Sequence, residues 1–155
     1  MKYLLFEGSS NVGKTNAIIR FANNLVSNYG YSCVDGEIPR TDKSKDFKSV
    51  LEKQSDKNGR KRIVVISASD TIKIMDESKS FFDYNTPCDV LISSCREEHY
   101  LYSYFFKLFA ISSDDKVFEI PMAKINHRDK KLKREGMKWF KEKIDILAET
   151  LFLQL

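Results

Sequence analysis

The chain has 155 residues, which is enough for a sizeable core, and we expect residues 1–155 to form a single domain. Hydrophobic residues make up 42% and charged residues 31%, values typical of a globular protein rather than a disordered one. The net charge of +4 is uneven, because residues 124–143 alone carry nine Lys or Arg and three Asp or Glu. Since the basic character is local, nucleic acid is an unlikely partner for the protein as a whole.

The start of the chain and its cysteines indicate a cytoplasmic location. Met1 and Lys2 lead directly into an apolar run, without the pattern of a secretory leader. No apolar run approaches the length of a membrane span, so we expect no membrane partner. The three cysteines form no C-x-x-C pair and no Cys/His cluster, and we expect them to be free thiols.

Strand-like and helix-like patterns alternate along the sequence. Strands are predicted over residues 2–6, 31–34, 63–66, 89–92 and 117–120. Helices are predicted over residues 16–28, 46–55, 70–84, 97–109 and 136–152, with a charged loop over 126–135. This alternation predicts an α/β fold of three α/β/α layers around a mainly parallel five-stranded sheet. Ligands of such sheets bind where the strands end.

The most informative stretch runs from Gly8 to Thr15 and reads G-S-S-N-V-G-K-T. It lies between the first predicted strand and the first predicted helix, and it fits the pattern G-x-x-x-x-G-K-[ST]. Glycines let the backbone approach a phosphate, and the helix N-terminus adds amide donors and a favourable dipole. The residues expected to contact a bound nucleotide are Gly8, Ser9, Ser10, Asn11, Val12, Gly13, Lys14, Thr15 and Asn16.

On this octapeptide and its strand–loop–helix setting, the chain resembles the P-loop NTPase superfamily, of which the stretch is the Walker A motif. The resemblance implies ATP, or alternatively GTP, as the bound nucleotide, with Mg²⁺ as its companion ion. Lys14 would contact the β- and γ-phosphates, and Thr15 would bind the metal. The resemblance also implies the sheet order 2-3-1-4-5, counted in chain order.

An acidic residue is expected to follow the strand that accompanies such a loop and to hold the metal. The predicted strand over 63–66 is followed by Ser67, and the first acid, Asp70, comes three residues later. Asp70 is therefore the candidate metal ligand beside Thr15. The alternative interpretation is that Ser69 or Asp70 caps the next helix.

Two further residues are candidates for catalysis. Asp35 ends the second predicted strand and would accept the proton of an acceptor hydroxyl, although Asp35 and Gly36 are also a typical turn. Arg96 follows the fourth predicted strand and would stabilise charge on the transferred phosphoryl group. An ion pair with Glu97 or Glu98 is the alternative for this arginine.

A third candidate region echoes the N-K-x-D motif with which GTPases read guanine. Asn126 and Asp129 occupy its ends, with His127 in place of the lysine. No D-x-x-G follows the third predicted strand; the one such run, 56–59, precedes it. A kinase-like or ATPase interpretation is therefore favoured over a GTPase, and the region 126–135 is otherwise a solvated basic loop.

The last predicted helix has more apolar positions than one buried face needs. Trp139, Ile146 and Leu153 form a second stripe at sevenfold spacing, which predicts a homodimer contact or packing under the charged loop. Three functions remain open: an ATP-dependent kinase or ATPase acting on an unknown small-molecule or protein acceptor, a nucleotide-dependent switch that binds a partner, and a divergent GTPase.

Overall fold

The computed structural model describes residues 1–40, 46–55 and 59–155. Over these ranges the chain is an α/β protein with six strands and four helices, so the predicted α/β class is confirmed. The strands are β1 (Lys2–Glu7), β2 (Ser32–Gly36), β3 (Lys48–Ser55), β4 (Gly59–Ile66), β5 (Val90–Cys95) and β6 (Lys116–Pro121). The helices are α1 (Lys14–Tyr29), α2 (Ile72–Tyr84), α3 (His99–Leu108) and α4 (Lys130–Phe152).

The sheet is mixed, and its order is β2-β3-β4-β5-β1-β6. The four strands β4, β5, β1 and β6 are parallel neighbours. The two remaining pairs, β2 with β3 and β3 with β4, are antiparallel. The predicted five-stranded order 2-3-1-4-5 is therefore wrong, because β5 separates β1 from β4 and an additional strand lies between β2 and β4.

The additional strand is β3, where the sequence analysis predicted a helix over 46–55. Its neighbours Val50 and Leu51 are both fully buried, at 0% exposure, but they belong to the two cores on opposite faces of the sheet. Consecutive side chains point to opposite faces of a sheet in a strand, so this burial pattern identifies the segment as a strand. The turn predicted at 58–59 and the D-x-x-G run of 56–59 fall partly on residues 56–58, which lie outside the described residues.

Helices cover both faces of the sheet. Helices α1 and α4 share one core, which includes Ile18, Leu25 and Ile144, while α2 and α3 share the other, which includes Met75 and Phe105. Strand β5 is buried throughout, and β1 and β4 are buried over residues 3–6 and 63–66, as parallel strands between helices require. The carboxyl ends of β4, β5, β1 and β6 consequently meet at one edge of the sheet.

The starts of α4 and α2 differ from the predictions. Helix α4 begins at Lys130, so most of the predicted charged loop over 126–135 is its first turns, and Gly136 lies inside it. Helix α2 begins at Ile72 and is capped by Thr71, whose Oγ1 accepts a hydrogen bond from the Ile74 amide at 3.3 Å, rather than by the predicted Ser69 or Asp70.

None of the helices in the described ranges combines the length and the hydrophobicity that crossing a bilayer requires.

Gly8 occupies a position at the end of β1 that a larger residue cannot take without movement of the backbone. Its amide donates to the Cys95 carbonyl at 3.2 Å. The residue after β6 is so close that a Cβ on Gly8 would lie 2.6 Å from the Met122 carbonyl oxygen. The backbone φ of +156° adds to the requirement for glycine.

We expect Gly8→Ala to lower the free energy of unfolding by about 1–3 kcal/mol, because the added methyl group forces the Met122 backbone away. Urea unfolding followed by circular dichroism measures this change. The matched control is Gly59→Ala, since Gly59 has φ +74° but open space around its Cβ position. Equal losses for the two variants would show that the contact with Met122 is not what requires glycine at position 8.

Candidate phosphate-binding site

After Gly8, the loop between β1 and α1 turns through two further residues with positive φ. Asn11 has φ +58°, and Gly13, which is the N-cap of α1, has φ +94°. A Cβ on Gly13 would meet no atom within 4 Å, so the loop opens to free space at this point. The loop and the first turn of α1 line a cleft of about 280 Å³ together with Ser67 and Asp70.

The backbone amides of this loop have no acceptor in the parts of the chain that the structure describes. Among residues 1–40, 46–55 and 59–155, no carbonyl or side chain accepts a hydrogen bond from the amides of residues 9–16. Backbone donors normally find partners, and unpaired amides at the start of a 16-residue helix add to the positive end of its dipole. This arrangement of donors suits an anion.

Lys14 places a positive charge over the same loop. Its Nζ donates to the carbonyl oxygens of Gly8 and Ser9, each at 2.7 Å, and the residue is buried. Burial, and then the nearby charge of Arg96, lowers the pKa of the Lys14 ammonium. No carboxylate in the described ranges forms an ion pair with Lys14, so only neutral carbonyls would compete with an anionic ligand for it.

Buried serine side chains join the ends of β4 and β5 at this edge of the sheet. Ser94 Oγ donates to the Ser67 carbonyl at 2.9 Å, and Ser69 Oγ lies 2.8 Å from Ser94 Oγ. All three residues are buried. These contacts hold the segment after β4 in one place beside the cleft.

A carboxylate that the sequence analysis did not select lies beside Thr15. Asp46 Oδ1 accepts a hydrogen bond from Thr15 Oγ1 at 2.9 Å, and Ser67 Oγ lies 3.4 Å from the same oxygen. Asp46 was missed because the segment that it begins was predicted to be a helix. No deciding signal for a strand is present in the sequence there, because Val50 and Leu51 also fit one face of a short helix.

Arg96 contacts Asp70, which lines the cleft. Arg96 Nε lies 2.9 Å from Asp70 Oδ1, and its Nη1 lies 3.6 Å from Glu98 Oε1. Arg96 is only 8% exposed, and its buried Nε–H is not aligned for a hydrogen bond to either acid. The structure therefore brings Lys14, Asp70 and Arg96 to one site, with Asp70 already paired to the arginine.

Asp35 does not line this cleft. It lies on the exposed edge strand β2, where its carboxylate accepts from the Gly36 amide at 2.8 Å and from Asn85 Nδ2 at 3.4 Å. Asp35 and Gly36 are the last two residues of this strand and pair with β3 rather than forming a turn, and a catalytic role for Asp35 stays a prediction.

Asn126 and Asp129, which were predicted to read a nucleobase together, have different surroundings in the structure. Asp129 is the N-cap of α4, and its Oδ1 accepts from the amides of Lys131 at 2.7 Å and Leu132 at 3.2 Å. Asn126 is exposed. The carboxylate of Asp129 is therefore engaged by its own helix.

A second cleft, of about 360 Å³, lies between α1 and α4. It shares Val12, Gly13 and Asn16 with the first cleft, and its outer wall includes the apolar side chains of Met137 and Phe140. Sequence reasoning missed this cleft because the wall comes from a helix that is distant in the chain and was predicted to start later.

Comparisons of the chain with protein-family models, with curated proteins and with solved structures gave no match. The site is therefore interpreted from its own residues.

We expect Asp129→Ala to cost about 1 kcal/mol of stability, because two amides of the first turn of α4 lose their acceptor. Thermal or urea unfolding measures the loss, and Asn126→Ala, three residues earlier and exposed, is the matched control. A change in the preference between ATP and GTP, without a loss of stability, would instead assign Asp129 to base recognition.

Proposed function

We propose that this protein is a P-loop nucleotide-binding protein that binds ATP with Mg²⁺ and transfers or hydrolyses its γ-phosphate. The observation that carries the proposal is the set of amides over residues 9–16 that have no acceptor among the described residues, next to the buried Lys14. A phosphate chain supplies the acceptors and the negative charge that these donors lack. In this proposal the acceptor is a small molecule or a protein, and the location is the cytoplasm.

The residues around Thr15 suit Mg²⁺ as the companion ion. The polar atoms near its hydroxyl are oxygens, from Asp46 and Ser67, and oxygen is the ligand that Mg²⁺ prefers. When bound, the ion would neutralise charge on the phosphates. Among the described residues, no group of three or more His, Cys, Asp or Glu is placed to hold a metal ion.

For the transfer of a phosphoryl group, Arg96 has the better-supported position of the two predicted catalytic residues. Its charge lies close enough to Lys14 to lower the pKa of that residue, and its Nε–H is buried without an aligned acceptor. A guanidinium so placed would stabilise charge on the outer phosphate. Asp35 lies on the edge strand, and its use as a base requires an acceptor that extends to β2.

The nucleoside would occupy the second cleft, because that cleft continues directly from the loop through Val12, Gly13 and Asn16. Apolar side chains such as Met137 and Phe140 suit the face of a purine. None of the described residues that line this cleft is a carboxylate, whereas a carboxylate would be needed to accept hydrogen bonds from guanine as GTPases do. This composition favours ATP over GTP.

A nucleotide-dependent switch that binds a partner is the second candidate, and the outer face of α4 favours it. Trp139, Ile146 and Leu153 are 57%, 56% and 64% exposed, and Leu132 extends their sevenfold spacing towards the start of the helix. A continuous exposed apolar stripe is typical of a contact surface. A second copy of the chain is the predicted partner.

Replacing Lys14 by Met should weaken ATP binding on the order of 10- to 100-fold, because a charge-assisted hydrogen bond contributes about 1.5–3 kcal/mol. Isothermal titration with ATP, GTP, ADP and inorganic tripolyphosphate, with and without Mg²⁺, measures the affinities, and a phosphate-release assay measures turnover. Lys107→Met, an exposed lysine near the end of α3, is the control.

The parent protein should prefer ATP to GTP, while tripolyphosphate should bind to the parent and not to Lys14→Met. Tight binding without phosphate release would favour the switch. Failure of the parent to bind any of these ligands would contradict nucleotide binding altogether.

Replacing Trp139 by Lys should convert a dimer into a monomer if α4 provides the contact between copies. Size-exclusion chromatography with light scattering gives the mass, and Trp139→Phe, which keeps an apolar ring, should preserve the dimer. A parent protein with the mass of one chain, both with and without nucleotide, would be evidence against this contact.

A further inference from the structure

Asp46 is held in its position by the sheet rather than by the glycine loop. It lies just before β3, where the Phe47 amide donates to Ser67 Oγ at 2.8 Å and the Ser67 amide donates to the Phe47 carbonyl at 3.0 Å. These two bonds extend the antiparallel pairing of Lys48 with Ile66 by one step. The carboxylate is thus carried to the end of β4, beside Thr15, by backbone pairing.

The spacing between Asp46 and Thr15 is that of two neighbouring metal ligands. Thr15 Oγ1 and Asp46 Oδ1 are 2.9 Å apart. Adjacent oxygens in an octahedral Mg²⁺ shell, each about 2.0–2.1 Å from the ion, are also about 2.9 Å apart. The hydroxyl and the carboxylate therefore need no separation or approach to become ligands of one ion.

The charges at the site distinguish Asp46 from Asp70. Asp70 is paired with Arg96 at 2.9 Å, so its charge is already balanced. Within residues 1–40, 46–55 and 59–155, the Asp46 carboxylate contacts the hydroxyls of Thr15 and Ser67, and no cationic side chain of these residues forms an ion pair with it. A divalent ion is stabilised most by a carboxylate whose negative charge is not yet balanced by a cation.

We infer that Asp46 is the acidic ligand for the Mg²⁺ that accompanies the nucleotide, a role that the sequence pattern assigned to Asp70. The inference rests on the proposed function, because phosphate oxygens would complete the shell. In this structure the Thr15 hydroxyl donates a hydrogen bond to Asp46. When a lone pair of the hydroxyl faces a metal, the Ser67 carbonyl, 3.4 Å from Thr15 Oγ1, can accept that hydrogen bond instead. No covalent bond forms or breaks in this exchange.

The assignment has a structural consequence for the site. The residue that follows β4 is Ser67, and the acid comes instead from the strand paired with β4 on the side away from β5. Metal binding would therefore link the start of β3 to the first turn of α1. Asp70 lines the cleft and is paired with Arg96 at 2.9 Å, whereas Asp46 contacts the hydroxyl of Thr15.

The test compares nucleotide affinity with and without metal in Asp46→Asn and in Asp70→Asn. Asparagine keeps the size of the side chain and an oxygen that can accept from Thr15, so the fold should persist, and thermal unfolding checks this. Isothermal titration with ATP in excess Mg²⁺ and in EDTA gives the gain in affinity that the metal provides. Asp46→Asn should reduce this gain on the order of tenfold or more and leave binding in EDTA unchanged or stronger.

Asp70→Asn should show the same gain in ATP affinity with Mg²⁺ as the parent. A second readout uses Mn²⁺ in place of Mg²⁺: the electron paramagnetic resonance signal of Mn²⁺–ATP should broaden with the parent and with Asp70→Asn, but not with Asp46→Asn at equal concentrations. The inference is overturned if Asp46→Asn retains the full metal-dependent gain, or if only Asp70→Asn loses it. If the parent binds no nucleotide in either condition, the proposed function fails, and this inference fails with it.

Discussion

The site depends on the backbone junction at which β1 ends between β5 and β6. The Gly8 amide donates to the Cys95 carbonyl at 3.2 Å, and the Met122 amide donates to the Glu7 carbonyl at 2.7 Å. These bonds continue the parallel pairing by one residue beyond each strand and fix the point at which the loop leaves the sheet. Since only glycine fits against Met122 at this point, the direction of the loop is set before α1 begins. The position of Lys14 follows from that direction, as does that of the amides of residues 9–16, which have no acceptor in the described ranges.

The local parts of this molecule were predictable from the sequence, and the parts that depend on distant pairing were not. The run from residue 63 to 66 and the loop between Gly8 and Thr15 were recognised because their patterns lie within a few consecutive residues. Strand β3 was not recognised, because the apolar residues of 46–55 also fit one face of a short helix. Only the partner strand decides between the two, since pairing with β4 places Val50 and Leu51 in opposite cores.

The same limit explains which site residues were found. Lys14, Asp70 and Arg96 follow the ends of parallel strands or lie in the loop motif, so the rule that ligands bind at carboxyl ends selected them. Asp46 precedes a strand, and it reaches the same edge only because β3 runs antiparallel to β4. Asp129 was selected by its resemblance to a base-reading motif, whereas its local neighbours show a helix cap.

The two sides of the cleft carry different chemistry, which constrains how a nucleotide can lie in it. Lys14 and Thr15 are consecutive, but the first contacts the carbonyls of Gly8 and Ser9 and the second contacts Asp46. The Lys14 side continues to Arg96 at the end of β5, and the Thr15 side continues to the end of β4. A phosphate chain between them would have cations on one side and an oxygen-lined metal position on the other. The nucleoside would then lie in the cleft between α1 and α4, because that cleft shares the loop's last residues with the first one. This arrangement needs no acid directly after β4, since the neighbouring antiparallel strand brings one to the same place.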